Sequence, residues 1–413
     1  HLVIQGVSPE RILLLTFTRR AAQEMTRRVE SIVRQALAGV NGPRTAQGML
    51  PWSGTFHSVA NRLLRRYAHN LGLDPGFSVL DRGDAADLMD VSRHELGMSR
   101  KARRFPKKDT CLAIYSRCVN TRKPLIDSLN ETYPWCADWE QELRTLFRRY
   151  VERKQATQVL DYDDLLLYWS HLVGDEEFAA EIGSWFDHVL VDEYQDTNLL
   201  QADILHAIKP DGNGVTVVGD DAQSIYSFRA AEVENILNFP DQYMPPARIV
   251  SLEENYRSTQ AILDSANYLI AESERQYKKN LFSNKTGGGK PAYVTVEDGD
   301  AEAEYVVEAI LANREQGMQL KDQAVLFRGS HVSDRLELEL VRRNIPYVKY
   351  GGLKFLEGSP CQGSVVGTQV GREPQEPDGG VPGTQTAAGH GSVVCRTVLR
   401  VSGRSRLWLL PAL

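Results

Sequence analysis

A short apolar run that ends in polar residues occurs three times in this chain of 413 residues, and the first two runs lead into an amphipathic helical pattern. The first run is Arg11–Phe17 (RILLLTF), and the others are Asp187–Val191 and Val215–Val218. Each run is short and β-rich, whereas the residues that follow the first two runs repeat their apolar positions at helical spacing. Strands that alternate with helices indicate an α/β fold: a parallel sheet with helices on both faces.

The same alternation continues later in the chain and predicts a second α/β region. Three more segments are expected to be strands, namely Arg248–Leu252, Gln323–Phe327 and Tyr347–Tyr350. Helices are predicted near Ser258–Ala271 and Arg335–Arg342. The sequence therefore predicts two sheet domains in succession.

Between residues 80 and 158 the pattern changes. No strand core is evident there, and charged helical stretches such as Glu140–Arg153 dominate. We interpret this segment as a helical insertion within the first α/β domain. Its Cys111 and Cys118 have no second pair at metal-finger spacing, so zinc is not expected.

From Gly358 the composition changes abruptly. Gly, Val, Pro and Arg abound, while Lys, Ile, Asn, Phe and Tyr are absent from residues 358–413. Such a stretch lacks helical or strand periodicity, which predicts disorder. Translation in a shifted frame is the favoured explanation, and a natural flexible tail is the alternative. At the other end, residue 1 is His rather than Met, so we expect the sequence to begin inside a longer reading frame.

Charge and hydropathy exclude two classes of protein. The formal net charge is −6, which argues against a uniformly cationic nucleic-acid coat protein. The longest apolar runs, such as Ile12–Leu15 and Leu407–Leu410, are far shorter than the ~18 residues of a membrane span. We expect no membrane association and a cytoplasmic location.

Two carboxylates follow one predicted strand directly. Asp192 and Glu193 come after Val189–Val191, and the carboxyl ends of parallel strands are where such sheets bind ligands. Asp192 suits the coordination of Mg²⁺ on nucleotide phosphates, and Glu193 could then deprotonate an attacking water. Gln223, after the next strand, could contact a phosphate oxygen. Because acidic pairs also follow strands without a function, the neighbouring motifs decide between the two interpretations.

Aromatic and cationic residues alternate beyond these strand ends. Tyr226, Phe228 and Arg229 suit the stacking of bases along single-stranded nucleic acid, although core packing of the two rings is the alternative. Tyr256 and Arg257 repeat the combination, so that the ring could stack on a purine while the guanidinium meets a γ-phosphate.

Seven ordered motifs together resemble those of UvrD/Rep-type (UvrD/PcrA-like) superfamily 1 DNA helicases. They are LTFTRRAAQEM (Leu15–Met25), GTFHS (Gly54–Ser58), DYDDLL (Asp161–Leu166), VDEYQDTN (Val191–Asn198), VGDDAQSIYSFR (Val218–Arg229), ENYRST (Glu254–Thr259) and YGGLKF (Tyr350–Phe355). The resemblance covers about residues 1–357.

That resemblance implies a fold and an activity. Members of this family have two RecA-like P-loop NTPase motor domains with ATP and Mg²⁺ bound between them, and helical insertions called 1B and 2B. They move 3′ to 5′ along single-stranded DNA, so single-stranded DNA and single-strand/double-strand junctions are the implied partners. The expected domains are a first motor domain at 1–79 and 159–250, a 1B-like insertion at 80–158, and the first part of a second motor domain at 251–357.

The resemblance also implies residue roles. Asp192 corresponds to the Mg²⁺ residue, Glu193 to the catalytic base and Gln223 to the γ-phosphate sensor, whereas Tyr256 stacks on adenine and Arg257 contacts phosphate. The implied DNA-contacting positions are Thr16, Phe17, Thr55, His57, Tyr226 and Phe228, to which the basic residue Arg229 is added. Phe228 stands where many relatives carry Trp, and Ala230 where many carry Gly.

Two parts of the family pattern are missing. A phosphate loop ending in Gly-Lys-Thr or Gly-Lys-Ser should precede Arg11–Phe17, and the arginine from the second motor domain should follow about residue 357. Gly287–Lys290 is not a substitute, because Pro291 occupies the place of the Mg²⁺-binding hydroxyl. We therefore expect a helicase fragment with an incomplete second motor domain and without ATPase activity. The alternatives are a non-catalytic remnant that binds single-stranded DNA, or the motor part of a RecB-like helicase-nuclease.

Overall fold

The computed structural model describes residues 1–37, 50–98 and 105–350, together with the backbone of 406–409; the side chains of Ala36, Leu37, Arg229 and Ser330 lie outside this description. The described chain forms two compact units. The first comprises His1–Val250 and Arg275–Tyr277, and the second comprises Ser251–Glu274 and the residues from Lys278 onward.

The first unit is built on a four-stranded parallel sheet. Its strands are β1 (Ile12–Thr16), β2 (Ser53–Thr55), β5 (His188–Val191) and β6 (Val215–Val217), arranged in the order β2-β1-β5-β6. In register, Leu15 of β1 lies opposite both Gly54 and Val191, so the first three strands end at one level. This arrangement confirms the predicted parallel sheet, with each strand shorter by one to two residues than its apolar run.

Helices cover both faces of this sheet. The helices of the first unit outside residues 80–158 are α1 (Arg19–Leu37), α2 (Phe56–Arg66), α7 (Tyr162–Leu172), α8 (Glu176–Ser184), α9 (Leu199–Ile208) and α10 (Glu234–Leu237). Strand β1 is buried along its whole length because its side chains alternate between two cores. Leu13 and Leu15 pack with α2, α7 and α9, whereas Ile12 and Leu14 pack with α1. This packing confirms the predicted arrangement of helices on both faces of the sheet.

Four helices between residues 82 and 156 have a hydrophobic core of their own. They are α3 (Arg82–Glu95), α4 (Lys108–Thr121), α5 (Leu125–Thr132) and α6 (Glu140–Ala156). Met89, Ile114 and Leu143 are among the fully buried side chains that they share. The chain enters and leaves this helical region through two short strands, β3 (Ser78–Val79) and β4 (Val159–Leu160), which pair in parallel.

The second unit has fewer strands than the sequence predicts. Its described elements are α11 (Gln260–Ile270), β7 (Ala292–Thr295), α12 (Gly299–Glu315), α13 (Asp334–Arg342) and β8 (Arg406–Leu409). The strands expected at Arg248–Leu252, which spans the boundary between the two units, and at Gln323–Phe327 and Tyr347–Tyr350 are wrong, because within the described residues no other backbone segment pairs with them. Val325 and Tyr347 instead pack against the core between α12 and α13.

Most of the tail, including residues 351–405, lies outside the described residues, and so does the motif YGGLKF after Tyr350. The backbone of β8 is described and pairs in antiparallel fashion with β7, which differs from the irregular tail expected at these four residues. Among the helices of the described residues, none has the length and apolar character needed to cross a bilayer.

Candidate functional site

Candidate residues of the first unit, and Asp220, which the sequence analysis did not single out, follow the carboxyl ends of four neighbouring strands. Phe17 follows β1, His57 lies in the first turn of α2 behind β2, Asp192 follows β5, and Asp220 follows β6. Because all four strands are parallel, these loops emerge at the same edge of the sheet. The strand order therefore brings together polar and aromatic side chains that are far apart in the sequence.

The acidic pair sits in a constrained loop. Glu193 has a left-handed backbone (φ 54°, ψ 44°), a conformation that costs a residue with a side chain about 1–3 kcal/mol unless its surroundings impose it. The flanking amides supply that constraint: Asp192 N–H donates to Leu15 O (2.9 Å) and Tyr194 N–H donates to Val218 O (2.9 Å). The loop is thus tied to the strand on either side of β5.

The electrostatics of this loop favour a cation. Asp192 is half-buried, and burial, followed by the negative charge of Glu193, raises its pKa. Asp196, which is buried nearby, has its pKa raised to about 6 by burial and then by Glu193. A divalent cation would relieve this repulsion, so Asp192 fits the carboxylate that Mg²⁺ prefers beside nucleotide phosphates.

A buried glutamine connects the acidic loop with the loop after β6. Gln195 Nε2 donates to Glu193 Oε2 (2.8 Å), and the Asp220 N–H donates to Gln195 Oε1 (3.0 Å). In turn, Gln223 Nε2 donates to Asp220 Oδ2 (2.8 Å). Gln223 itself is exposed at the end of a 3₁₀ turn, Asp221–Gln223. One chain of hydrogen bonds therefore runs from Gln223 to Glu193.

Three aromatic rings form a row beyond this turn. The ring centroid of Phe17 lies 4.9 Å from that of Tyr226, which lies 5.7 Å from that of Phe228. Phe228 is 72% exposed, so core packing does not account for its ring. Arg229 ends the 3₁₀ turn Ser227–Arg229, and its side chain lies outside the described residues.

The remaining residues predicted to contact DNA are less exposed than Phe228. Thr16 and Thr55 are buried, and the Thr55 hydroxyl accepts the Ser58 N–H as the cap of α2. His57 is half-buried with its ring 5.8 Å from that of Tyr162 in an edge-on arrangement. Burial, and secondarily the charge of Arg19, lowers the pKa of His57 to about 4, so the imidazole is neutral at physiological pH.

The two candidate residues of the second unit lie on a tight turn before α11. Asn255 Oδ1 accepts both the Arg257 N–H (2.9 Å) and the Ser258 N–H (2.7 Å), which leaves Tyr256 and Arg257 exposed at the bend. Tyr256 is 75% exposed, and its hydroxyl donates to Glu254 Oε2 (2.6 Å), which raises the pKa of the phenol. The face of the ring remains accessible for stacking.

Sequence reasoning missed Gln195 and Asp220 as site residues. Both lie within motifs that were recognised, VDEYQDTN and VGDDAQSIYSFR. The sequence offers only a weak indication, because Gln195 lies two residues after Glu193. The neighbouring residues do not predict that its side chain bonds both Glu193 and the loop after β6.

Comparison with known proteins matches almost all of the described chain. Residues 1–244 match the UvrD/REP helicase N-terminal domain, and residues 250–362 match the UvrD-like helicase C-terminal domain. The ATP-dependent DNA helicase PcrA of Staphylococcus epidermidis is 34% identical over 86% of this chain and 46% of its own length. The PcrA protein of Staphylococcus aureus is 33% identical over 86% of this chain and 46% of its own.

The chain thus spans about half the length of the curated relatives it matches. The N-terminal match alone covers more than half of the 413 residues, and the parallel sheet of the first unit is consistent with a RecA-like motor domain. This chain belongs to the UvrD/Rep family of ATP-dependent DNA helicases, close to PcrA.

Proposed function

We propose that this protein is a DNA helicase or translocase that uses ATP and Mg²⁺ to move 3′ to 5′ along single-stranded DNA and acts at single-strand/double-strand junctions. The observation that carries the proposal is the continuity between the acidic pair and the aromatic row. The segment that holds Gln223 in hydrogen-bond connection with Glu193 continues within a few residues to Tyr226 and Phe228. Such continuity is expected of a motor enzyme in which DNA binding changes the rate of ATP hydrolysis.

The nucleotide is assigned to the acidic pair and Gln223 and, as the family resemblance implies, to Tyr256 and Arg257. Asp192 holds Mg²⁺, and the carboxylate of Glu193 removes a proton from the attacking water. Gln223 contacts the γ-phosphate. Tyr256 stacks on adenine, and the guanidinium of Arg257 meets a phosphate. When bound, Mg²⁺ would neutralise charge on the phosphate oxygens, which is chemistry that the side chains alone do not supply.

The DNA is assigned to the aromatic row. The rings of Phe17, Tyr226 and Phe228 offer stacking faces for successive bases, and Arg229 adds a cation for the backbone. Since His57 is neutral, it would contribute a hydrogen bond or packing rather than charge. Thr16 and Thr55 are buried, so they would act by shaping the strand ends from which the exposed residues project.

A specific observation favours a narrower activity for these 413 residues by themselves. The only Gly-Lys pair, Gly289-Lys290, is followed by Pro291 and lies in irregular backbone before β7. No Gly-Lys-Thr or Gly-Lys-Ser occurs in the sequence. We propose that this polypeptide alone binds single-stranded DNA without turning over ATP.

The decisive experiment separates binding from turnover. Fluorescence anisotropy of a labelled oligothymidine should show salt-dependent binding to the 413-residue chain. A strand-displacement assay should show unwinding only in a form in which a Gly-Lys-Thr phosphate loop is joined ahead of residue 1, and only with a 3′ single-stranded tail. Unwinding of a 5′-tailed substrate instead would contradict the proposed direction. Failure to bind DNA at all would contradict the function.

A further inference from the structure

We infer that Gln195 is a positioning residue: its buried amide holds the carboxylate of Glu193 and joins it to the loop that carries Gln223 and the aromatic row. The inference rests on the proposed function of Glu193 as the base. Gln195 would couple DNA binding to the base Glu193, because its side-chain nitrogen bonds Glu193 while its side-chain oxygen accepts the N–H of Asp220.

Burial and hydrogen bonding determine the orientation of this amide. Gln195 is 1% exposed. Its NH₂ group faces the Glu193 carboxylate and its oxygen faces the Asp220 N–H. The reversed amide would set an oxygen against the carboxylate and a donor against a donor, leaving both pairs unsatisfied. Only one orientation therefore satisfies both ends.

Glu193 needs such a partner because its side chain is exposed. Its backbone is held in the left-handed region by amides on either side, but those bonds do not orient the carboxylate. The charged hydrogen bond from Gln195 Nε2 does so, and hydrogen bonds to charged groups are stronger than neutral ones. A base gains rate from a fixed position relative to the water that it deprotonates.

Gln195 thus links Glu193 to the loop after β6. It is hydrogen-bonded to that loop at two points. Besides the Asp220 amide, the Ser224 hydroxyl donates to the main-chain oxygen of Gln195 (3.3 Å). Gln223 lies between these two points, and its side chain donates to Asp220. A displacement of this turn by DNA stacked on Tyr226 or Phe228 would therefore be transmitted to Gln195 and, through its amide, to Glu193.

Gly219 makes this close approach feasible. A Cβ atom at residue 219 would lie 2.5 Å from Gln195 Oε1 and 2.7 Å from Ile236 Cδ1. A side chain at this position would overlap the Gln195 amide as well as Ile236, so a glycine shortly after β6 leaves room for the hydrogen bond to Gln195. Gly219→Ala thus disturbs the link without altering Gln195.

The experiment uses the 413-residue chain and follows the NMR signal of the Glu193 carboxylate directly. Glutamate labelled with ¹³C at its side-chain carboxyl is incorporated, and the Glu193 resonance is assigned by its absence in Glu193→Gln. An oligothymidine is then added, with binding followed in parallel by anisotropy. In the wild type the oligothymidine should shift the Glu193 resonance.

Three variants define the expected result. Gln195→Met removes both hydrogen bonds, so the free-protein resonance of Glu193 should move and its response to DNA should be lost, at unchanged DNA affinity. Gln195→Glu keeps the oxygen that faces Asp220 but loses the donor to Glu193. Its effect should be larger at pH 8 than at pH 6, because a protonated carboxyl can again donate. Gly219→Ala should act in the same direction as Gln195→Met.

The matched control is Gln201→Glu. Gln201 is also buried, and its side-chain oxygen accepts the Asn198 N–H in the capping box of α9, a role that Glu fills equally well. This variant should behave as the wild type. A Glu193 resonance that is the same in the wild type and in Gln195→Met, free and with DNA, would overturn the inference. If oligothymidine does not bind the wild type, the proposed function fails, whereas the free-protein comparison still decides whether Gln195 positions Glu193.

Discussion

The ring of Phe17 lies 4.9 Å from the ring of Tyr226, although these residues follow β1 and β6, which are separated in the sheet by β5. The loops at the carboxyl edge must therefore cross over the end of β5, where the acidic pair lies. The aromatic row and the acidic pair therefore both lie at the carboxyl edge of the sheet.

Replacing Phe228 by Ala should weaken binding of single-stranded DNA by about 1–3 kcal/mol, the contribution of one stacked base. Phosphate contacts should add a log–log salt slope near −0.7 per contact, which this change should leave intact. Anisotropy titrations at several salt concentrations measure both quantities. Trp135→Ala is the control, because this exposed ring lies between α5 and α6, outside the aromatic row. Equal affinities of Phe228→Ala and the wild type would remove Phe228 from the DNA site.

The 413-residue polypeptide should release negligible phosphate from ATP, with or without single-stranded DNA. It contains no Gly-Lys-Thr or Gly-Lys-Ser to hold the β- and γ-phosphates. Loss of a single arginine finger already lowers phosphoryl transfer by ~10³ to 10⁵. A steady-state phosphate assay tests this, with PcrA of Staphylococcus epidermidis as the positive control. DNA-stimulated turnover that disappears in Glu193→Gln would show that the prediction is wrong.

In a form that carries a phosphate loop ahead of residue 1, Glu193→Gln should lower hydrolysis by ~10² to 10⁴ while Mg²⁺-nucleotide binding survives. The amide keeps the size of the side chain but cannot accept the proton. Asp192→Asn should behave differently, since losing a carboxylate from the metal weakens nucleotide binding as well as turnover. Nucleotide titrations and single-turnover rates distinguish the two. Near-normal turnover of Glu193→Gln would remove the base from this loop.

The stability of the first unit should fall as the pH drops from 6.5 toward 4, in part because of His57. Its pKa is about 4 in the folded protein against an ordinary value of 6.5, so the unfolded chain binds the proton first. The stabilisation is complete above pH 6.5 and is lost as the pH falls through 4. His57→Asn should flatten this decrease in urea unfolding, whereas His69→Asn, at an exposed position, should not. If the free energy of unfolding fell with pH in the same way in the wild type and in His57→Asn, His57 would not be a cause of this pH dependence.

Lys154→Met should destabilise the first unit by about 3–5 kcal/mol. Lys154 Nζ lies 2.7 Å from Asp161 Oδ2 and 2.7 Å from Asp164 Oδ2, and all three side chains are buried. Without the ammonium, two neighbouring carboxylates remain in a site of low polarity. The more exposed ion pair of Lys123 with Glu131 provides the comparison, because Lys123→Met should cost at most about 1 kcal/mol. Urea unfolding of both variants measures the difference, and equal losses would contradict the prediction.

The sequence alone determined the local units of this protein. The period of its apolar residues predicted β1, β5 and β6, because a buried strand and the amphipathic helix behind it each leave a pattern within a few residues. The same local reading placed Asp192 and Glu193 at the end of a strand. The order of the motifs identified the family, as the comparisons confirm.

Only the tertiary structure decided which of these units meet. The strand order brought Phe17 against Tyr226 and turned Gln195 between Glu193 and Asp220, contacts that no local pattern records. It also overturned the strand expected at Arg248–Leu252, because an apolar run becomes a strand only when a neighbouring backbone supplies its hydrogen bonds. Side-chain period is a property of the segment itself, whereas hydrogen-bond partners belong to the whole fold.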